Sequence, residues 1–263
     1  MNSLVTIILL ARTAYAYQTP YPGEYVLEVC GSKHCRKNGS HKLSSILNDM
    51  ANTRAVINEC GCLGACGDGV NIIVPSNGRI YSQLKSPASI AAVCEIELGL
   101  CVPDAVVDAY SIALNAEQTS EKFSKCQYEK ALDIMKPYFT DFPSVETTLR
   151  IGLARALSAA ACNTVTDEES RSMHNRAALS ALAAVRIEQH NARSWWAFRD
   201  ALMATHRNPW RVLVALSGIL KYVDDRGESS TFARNAATKE IDDLCKLDSC
   251  CIHPACVSKS VPP

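Results

Sequence analysis

The sequence predicts two folded parts of different class: an α+β domain over about residues 24–100, then an all-α domain over about residues 104–244. Up to about residue 100, period-2 apolar alternation is interleaved with two helical stretches and glycine-bearing turns. Beyond Pro103 glycine thins, strand patterns vanish, and alanine and leucine rise with helical periodicity. At 263 residues, with 48% apolar residues and a formal net charge of zero, the chain is long enough for about two domains.

Each element has its own signal. Tyr25, Leu27 and Val29 alternate along Glu24–Cys30, which reads as a strand. From Ser40 to Asn52, Leu43, Ile46, Leu47 and Met50 fall at helical spacing, with Ser40 as the expected N-cap. Ala55–Ile57 is a short strand leading into a glycine loop. Val70–Val74 and Arg79–Leu84 flank Ser76-Asn77-Gly78, a hairpin signal. Pro87–Leu98 is a helix with Ile90, Val93 and Leu98 apolar, completing the order β-α-β-β-β-α. Helices are then expected over Asp104–Asn115, Glu121–Phe139, Val145–Ala161, Glu168–His190, Ala192–His206, Pro209–Val223 and Ser229–Leu244.

The chemistry-bearing pattern is four cysteines, Cys30 and Cys35 as C-x4-C and Cys62 and Cys66 as C-x3-C. Two close pairs of thiolates on two loops can surround a pair of irons, each pair holding one end of a cluster. Gly61, Gly64, Gly67 and Gly69 around the second pair suit a tight loop whose N–H groups are free to bond sulfur. Cys60, two residues before Cys62, is able in principle to compete as a ligand.

The flanks carry a family resemblance. "VCGSKHCRKNGSHKL" and "CGCLGACGDGVNIIVPSNGRIYSQL" resemble the thioredoxin-like 2Fe-2S ferredoxins over about residues 24–100, most specifically in C-x4-C-R-K-x-G-S and C-L-G-x-C-G-x-G-x-N. The resemblance implies a thioredoxin-like β-α-β-β-β-α domain and one 2Fe-2S cluster with iron ligated by Cys30, Cys35, Cys62 and Cys66. Cys62 is preferred to Cys60 because Cys62-Leu63-Gly64-Ala65-Cys66 carries the family spacing. The Cys35-to-Cys62 interval is short for the family, which implies a trimmed helix or strand. In the second half, Tyr128-Glu129-Lys130-Ala131-Leu132 with Phe139 and Pro143 resembles the second helix of a tetratricopeptide repeat. Residues 191–225 resemble a degenerate repeat, with Trp196 and Ala201 in its first helix and Leu216 in its second. An α-solenoid of such hairpins is expected, a plain helical bundle being the alternative.

Charge and location complete the reading. Lys33, His34, Arg36, Lys37, His41 and Lys42 surround Cys35 with no acid among them. They would favour a reduced cluster and could steer an acidic redox partner, or could simply solvate the loop. Net neutrality without basic-aromatic interleaving excludes a nucleic-acid footprint. There is no P-loop, G-x-G-x-x-G or G-x-S-x-G, and His174, His190 and His206 have no catalytic partners at fixed spacing, each reading as a surface or capping histidine. No enzyme is therefore expected. Residues 1–16 read as a signal-like leader with Ala14-Tyr15-Ala16 before Tyr17, and residues 17–23 as a linker or short transit segment. No transmembrane span follows the leader.

Of thirteen cysteines, Cys94, Cys126 and Cys162 are expected to act as small buried hydrophobes. Cys245, Cys250, Cys251 and Cys256, in a tail over 245–263 that also holds His253, are open to metal binding, disulfides or inertness. The expected function is a one-electron carrier docked through its helical domain on a photosynthetic or NADH-linked electron-transfer complex. Its location would be a plastid (stroma or stromal face of the thylakoid), reached through an ER-type signal. The alternatives are a structural or assembly subunit with a non-turnover cluster, or a secreted disulfide-stabilised interaction module.

Overall fold

The computed structural model describes residues 25–65, 70–117, 119, 121–205, 209–223 and 228–247. The leader and short transit segment, Cys66, His206, and Cys250, Cys251 and Cys256 of the tail lie outside the described residues, as does the side chain of Cys245. The fold is α+β: a small mixed sheet, then a helical region. The chain divides near residue 101 into two compact units.

In the first unit, β1 (Tyr25–Cys30), β2 (Ala55–Cys60), β3 (Val70–Val74) and β4 (Arg79–Leu84) form a four-stranded sheet in the order β2-β1-β3-β4. β1 and β2 are parallel, from Tyr25 opposite Ala55 to Cys30 opposite Cys60, while β3 is antiparallel to both β1 and β4. The parallel pair requires a crossover, supplied by α1 (Lys33–Lys37) and α2 (Ser40–Ala51). The antiparallel β3–β4 pair needs only a tight turn, where Gly78 takes φ +70. Alternation puts Leu27, Val29 and Ile72 on a buried face with Leu43, Leu47 and Met50 of α2. On the opposite face Val26, Val56 and Ile80 are 37%, 44% and 46% exposed.

The last helix of this unit is α3 (Pro87–Leu98). Its Glu97 carboxylate accepts from Asn77 Nδ2 at 2.9 Å, Arg79 Nη1 at 3.2 Å and the Tyr81 hydroxyl, tying α3 to the β3–β4 hairpin.

Three expectations change here. The order is β-α-α-β-β-β-α, because a five-residue helix follows Cys30 where the sequence reads as a loop. Ser40 is the first residue of α2 and not its cap; Gly39, at φ +91, occupies the cap, a conformation a side chain would strain. β2 runs on to Cys60, because polar Asn58 and Glu59 sit exposed on an edge strand and hide the pattern.

Every regular element among the described residues of the second unit is a helix: α4 (Asp104–Ala116), α5 (Glu121–Met135), α6 (Pro143–Cys162), α7 (Asp167–Ile187), α8 (Ala192–Ala204), α9 (Pro209–Tyr222) and α10 (Glu228–Leu247), with a 3₁₀ turn at Lys136–Tyr138. Each helix packs mainly against its neighbours in sequence. Pro143 opens α6 at a position where its missing N–H is harmless, and Thr166 and Asn191 cap α7 and α8 with their side-chain oxygens. Close helix contact is set by small residues: a Cβ on Gly218 would lie 2.2 Å from the Trp195 ring, and one on Gly152 2.2 Å from the Tyr128 ring. Trp195 is buried, stacks on Tyr222 at 5.8 Å and donates from Nε1 to Gln189 O at 2.7 Å. His190 Nδ1 lies 2.7 Å from the C-terminal carbonyl of Tyr222, a capping role.

Two further readings are corrected. His174 is buried within the helical unit, because the covering comes from a neighbouring helix that local sequence does not reveal. Cys126 and Cys162 are exposed, and only Cys94 of the three helical cysteines is buried. No helix of the described residues is long and apolar enough to cross a membrane.

Candidate metal centre

The site begins where β1 ends. Cys30, its last residue, is fully buried, and its neighbour Gly31 donates to Cys60 O at 2.9 Å, zipping the two parallel strands at that row. Ser32 then turns the chain into α1. Its hydroxyl accepts from the Cys35 N–H at 3.4 Å and from the Cys30 thiol at 3.4 Å, so one side chain caps the helix and touches the strand-end sulfur. One turn on, Cys35 is fully buried and its thiol meets that of Cys30. The C-x4-C spacing thus becomes a strand end plus one helical turn.

The loop after β2 is drawn back over this pair. The Leu63 N–H is hydrogen-bonded to Cys30 sulfur. Asn71, wholly buried in β3, donates from Nδ2 to Ala65 O at 2.8 Å, and the same Nδ2 lies 4.0 Å from Cys35 Sγ. The Asn71 backbone N–H is also bonded to Cys35. Asn71 Oδ1 has no hydrogen-bond partner among the described residues, an uncommon state for a buried amide. At the rim Arg36 pairs with Glu59 across α1 and β2, an exposed contact of small energetic weight.

These surroundings set the thiols apart. Burial opposes ionisation of Cys30, but its hydrogen bonds with the Ser32 side chain and backbone, the Leu63 N–H and the Cys35 thiol bring its pKa down to about 7. Burial raises the Cys35 pKa, and its contact with Cys30 raises it further. Burial, then Glu28 and Cys30, raise that of Cys60.

Of the four expected ligands, Cys30 and Cys35 come together, Cys62 is exposed on the loop between Cys60 and Ala65, and Cys66 is outside the described residues. Among the described residues no three Cys, His, Asp or Glu side chains form a group that could hold a metal ion. The pair itself fits one end of a thiolate-bound cluster: two adjoining buried sulfurs, each facing an N–H donor. Lys33, His34, Arg36, Lys37 and His41 are all exposed around it on α1 and α2. Ser32 and Asn71 are the site residues without an assigned role in the sequence reading. Their signals are a hydroxyl between two cysteines and a lone amide within the apolar run Val70–Val74.

No family model, no curated protein and no solved structure matches this chain.

Proposed function

We propose that the first unit is a thioredoxin-like domain holding one 2Fe-2S cluster on Cys30, Cys35, Cys62 and Cys66, and that the protein is a one-electron carrier. The observation that supports this most is the loop over the thiol pair: Leu63 N–H on Cys30, and Asn71 linking Ala65 O to Cys35. Cys62 itself is exposed on this loop, and the proposal has it turn toward the buried pair when the cluster binds. Bound there, the cluster supplies reversible one-electron chemistry.

The chain's own residues do the rest. Cys30 and Cys35 present sulfurs from a strand end and a helix turn, and the Leu63 and Asn71 N–H groups stabilise negative charge on them. Lys33 and Lys37 offer exposed cations, with the exposed His34 ring beside them, toward an acidic redox partner. The helical unit, read as a tetratricopeptide-like scaffold, would dock the carrier on a photosynthetic or NADH-linked complex in a plastid. No catalytic role is proposed.

A second reading takes the protein as a secreted module in which Cys30 and Cys35 form a disulfide; the contact of their thiols favours it. Anaerobic incubation of the full chain with ferric iron and sulfide, followed by visible spectroscopy and a potentiometric titration, separates the two. The carrier reading expects charge-transfer bands that bleach reversibly with one electron. A colourless protein, two mass units lighter than its reduced form, would instead establish the disulfide.

A further inference from the structure

Helices α7, α8 and α9 line a cleft of about 460 Å³ that the proposed function does not use. On α7, Asn175, Ala178, Leu179 and Leu182 recur at i, i+3, i+4 and i+7, so they share one helix face. Phe198 and Leu202 come from α8, Arg211 and Val214 from α9. Leu179 is 65% exposed, a large apolar side chain left open to water at this cleft. Arg211 is exposed and makes no hydrogen bond or ion pair with another described residue. The lining is therefore apolar with two polar groups, Asn175 and Arg211, and its volume falls in the range of small-molecule sites.

We propose that this cleft binds a small apolar anion. The hydrocarbon body lies on Leu179, Leu182, Phe198, Leu202 and Val214, and a carboxylate head meets the Arg211 guanidinium, with the Asn175 amide as second donor. A guanidinium with no acid partner among the described residues is well shaped to take a carboxylate through two parallel N–H bonds. Leaving the body in water would expose apolar surface on both partners. Size argues for a small molecule: the α7 stripe from Asn175 to Leu182 is about 10 Å long at the helical rise, two turns at most for a docked helix. A second, polar cleft adjoins through Asn175 and contains Arg171, but there Asp167 already supplies a carboxylate. The head is therefore assigned to Arg211. This inference stands independently of the cluster.

Equilibrium dialysis of the full chain against labelled decanoate, with 1-decanol as the neutral analogue, tests it. Decanoate is expected to saturate one site per chain and to bind at least about tenfold more tightly than decanol, the ratio a charge-assisted pair supplies. Arg211→Gln should weaken decanoate about tenfold, Leu179→Asp should abolish binding, and Arg171→Gln should leave it within about twofold. Arg171, Leu179 and Arg211 are exposed, and circular dichroism verifies that the variants fold. The proposal is overturned if decanoate does not saturate, if decanol binds equally well, or if Arg171→Gln rather than Arg211→Gln weakens binding. It is likewise overturned if decanoate fails while an acidic amphipathic peptide saturates the cleft, which would make it a protein-docking surface.

Discussion

Replacing Asn71 with Asp changes one atom of a fully buried side chain and inverts what it does. The amide donates to Ala65 O at 2.8 Å; a carboxylate at the same place confronts that carbonyl with a second acceptor. The lost hydrogen bond is worth about 1 kcal/mol. The charge costs more, because it has no cation among its contacts with the described residues and sits beside the sulfur of Cys35. Its penalty has a ceiling. At pH 7 the side chain escapes by taking a proton, and doing so about three units above the usual aspartate pKa costs about 4 kcal/mol.

The expected loss for Asn71→Asp is therefore about 4–5 kcal/mol at pH 7, against a whole-domain stability on the order of 5–15 kcal/mol. Asn71→Leu also removes the tie to Ala65, but it removes as well the Oδ1 that has no partner among the described residues, so it should stay within about 1 kcal/mol of the parent. The sign with pH follows. Burial raises the native pKa of the new aspartate above its unfolded value, so the penalty is largest at neutral pH and vanishes below the unfolded value near 4. Urea unfolding of both variants between pH 4 and pH 7 measures this. A gap between Asp and Leu that does not widen with pH would refute the reasoning.

Four other outcomes follow from named contacts. Gly218→Ala should destabilise by about 1–3 kcal/mol in thermal melts followed at 222 nm, because Trp195 is pinned by Tyr222 and by Gln189 O and cannot yield; in a Trp195→Leu background, itself destabilised by the lost packing, the same Gly218→Ala step should cost much less. The Tyr81 hydroxyl, then Asn77 and Arg79, hold the Glu97 pKa below its ordinary 4.5. Its contribution to stability is thus present above about pH 4.5 and lost as pH falls through the lowered native value, and Glu97→Gln should flatten that acid limb of the unfolding curve. Native alkylation with iodoacetamide should modify exposed Cys101, Cys126 and Cys162, and leave Cys94, whose pKa burial pushes up to about 12, until the chain unfolds. Asn71→Leu should lower retained iron several-fold after reconstitution while melting near the parent temperature, since it frees the loop at Ala65 without opening the core.

Much of the secondary structure was legible because it rests on local chemistry. Leu43, Ile46, Leu47 and Met50 mark the buried face of α2 in the sequence as in the structure, and the break at Asn191 marks the start of α8; Pro143, read as a break before a helix from Val145, is instead the first residue of α6. What escaped depends on distance or on brevity. α1 spans five residues, too few for a period, and only the Ser32 cap signals it. His174 looks like a surface residue until a neighbouring helix covers it. At the candidate site the spacing of Cys30 and Cys35 was enough to see them as a pair. Asn71 was not legible as a partner, because its meeting with Cys35 and Ala65 depends on the register of β3 against β1. The exposure of Cys62, beside the anchored Leu63 and Ala65, is likewise a property of the loop's path that spacing does not encode.

The most direct test of the cluster assignment is iron and acid-labile sulfide measured on the reconstituted full chain and on five single variants, Cys30→Ser, Cys35→Ser, Cys60→Ser, Cys62→Ser and Cys66→Ser. The expected result is about two irons and two sulfides per chain for the parent and for Cys60→Ser, with the cluster lost or strongly perturbed in the other four. A parent chain that binds no iron, or a cluster that survives Cys62→Ser and is lost in Cys60→Ser, would contradict it.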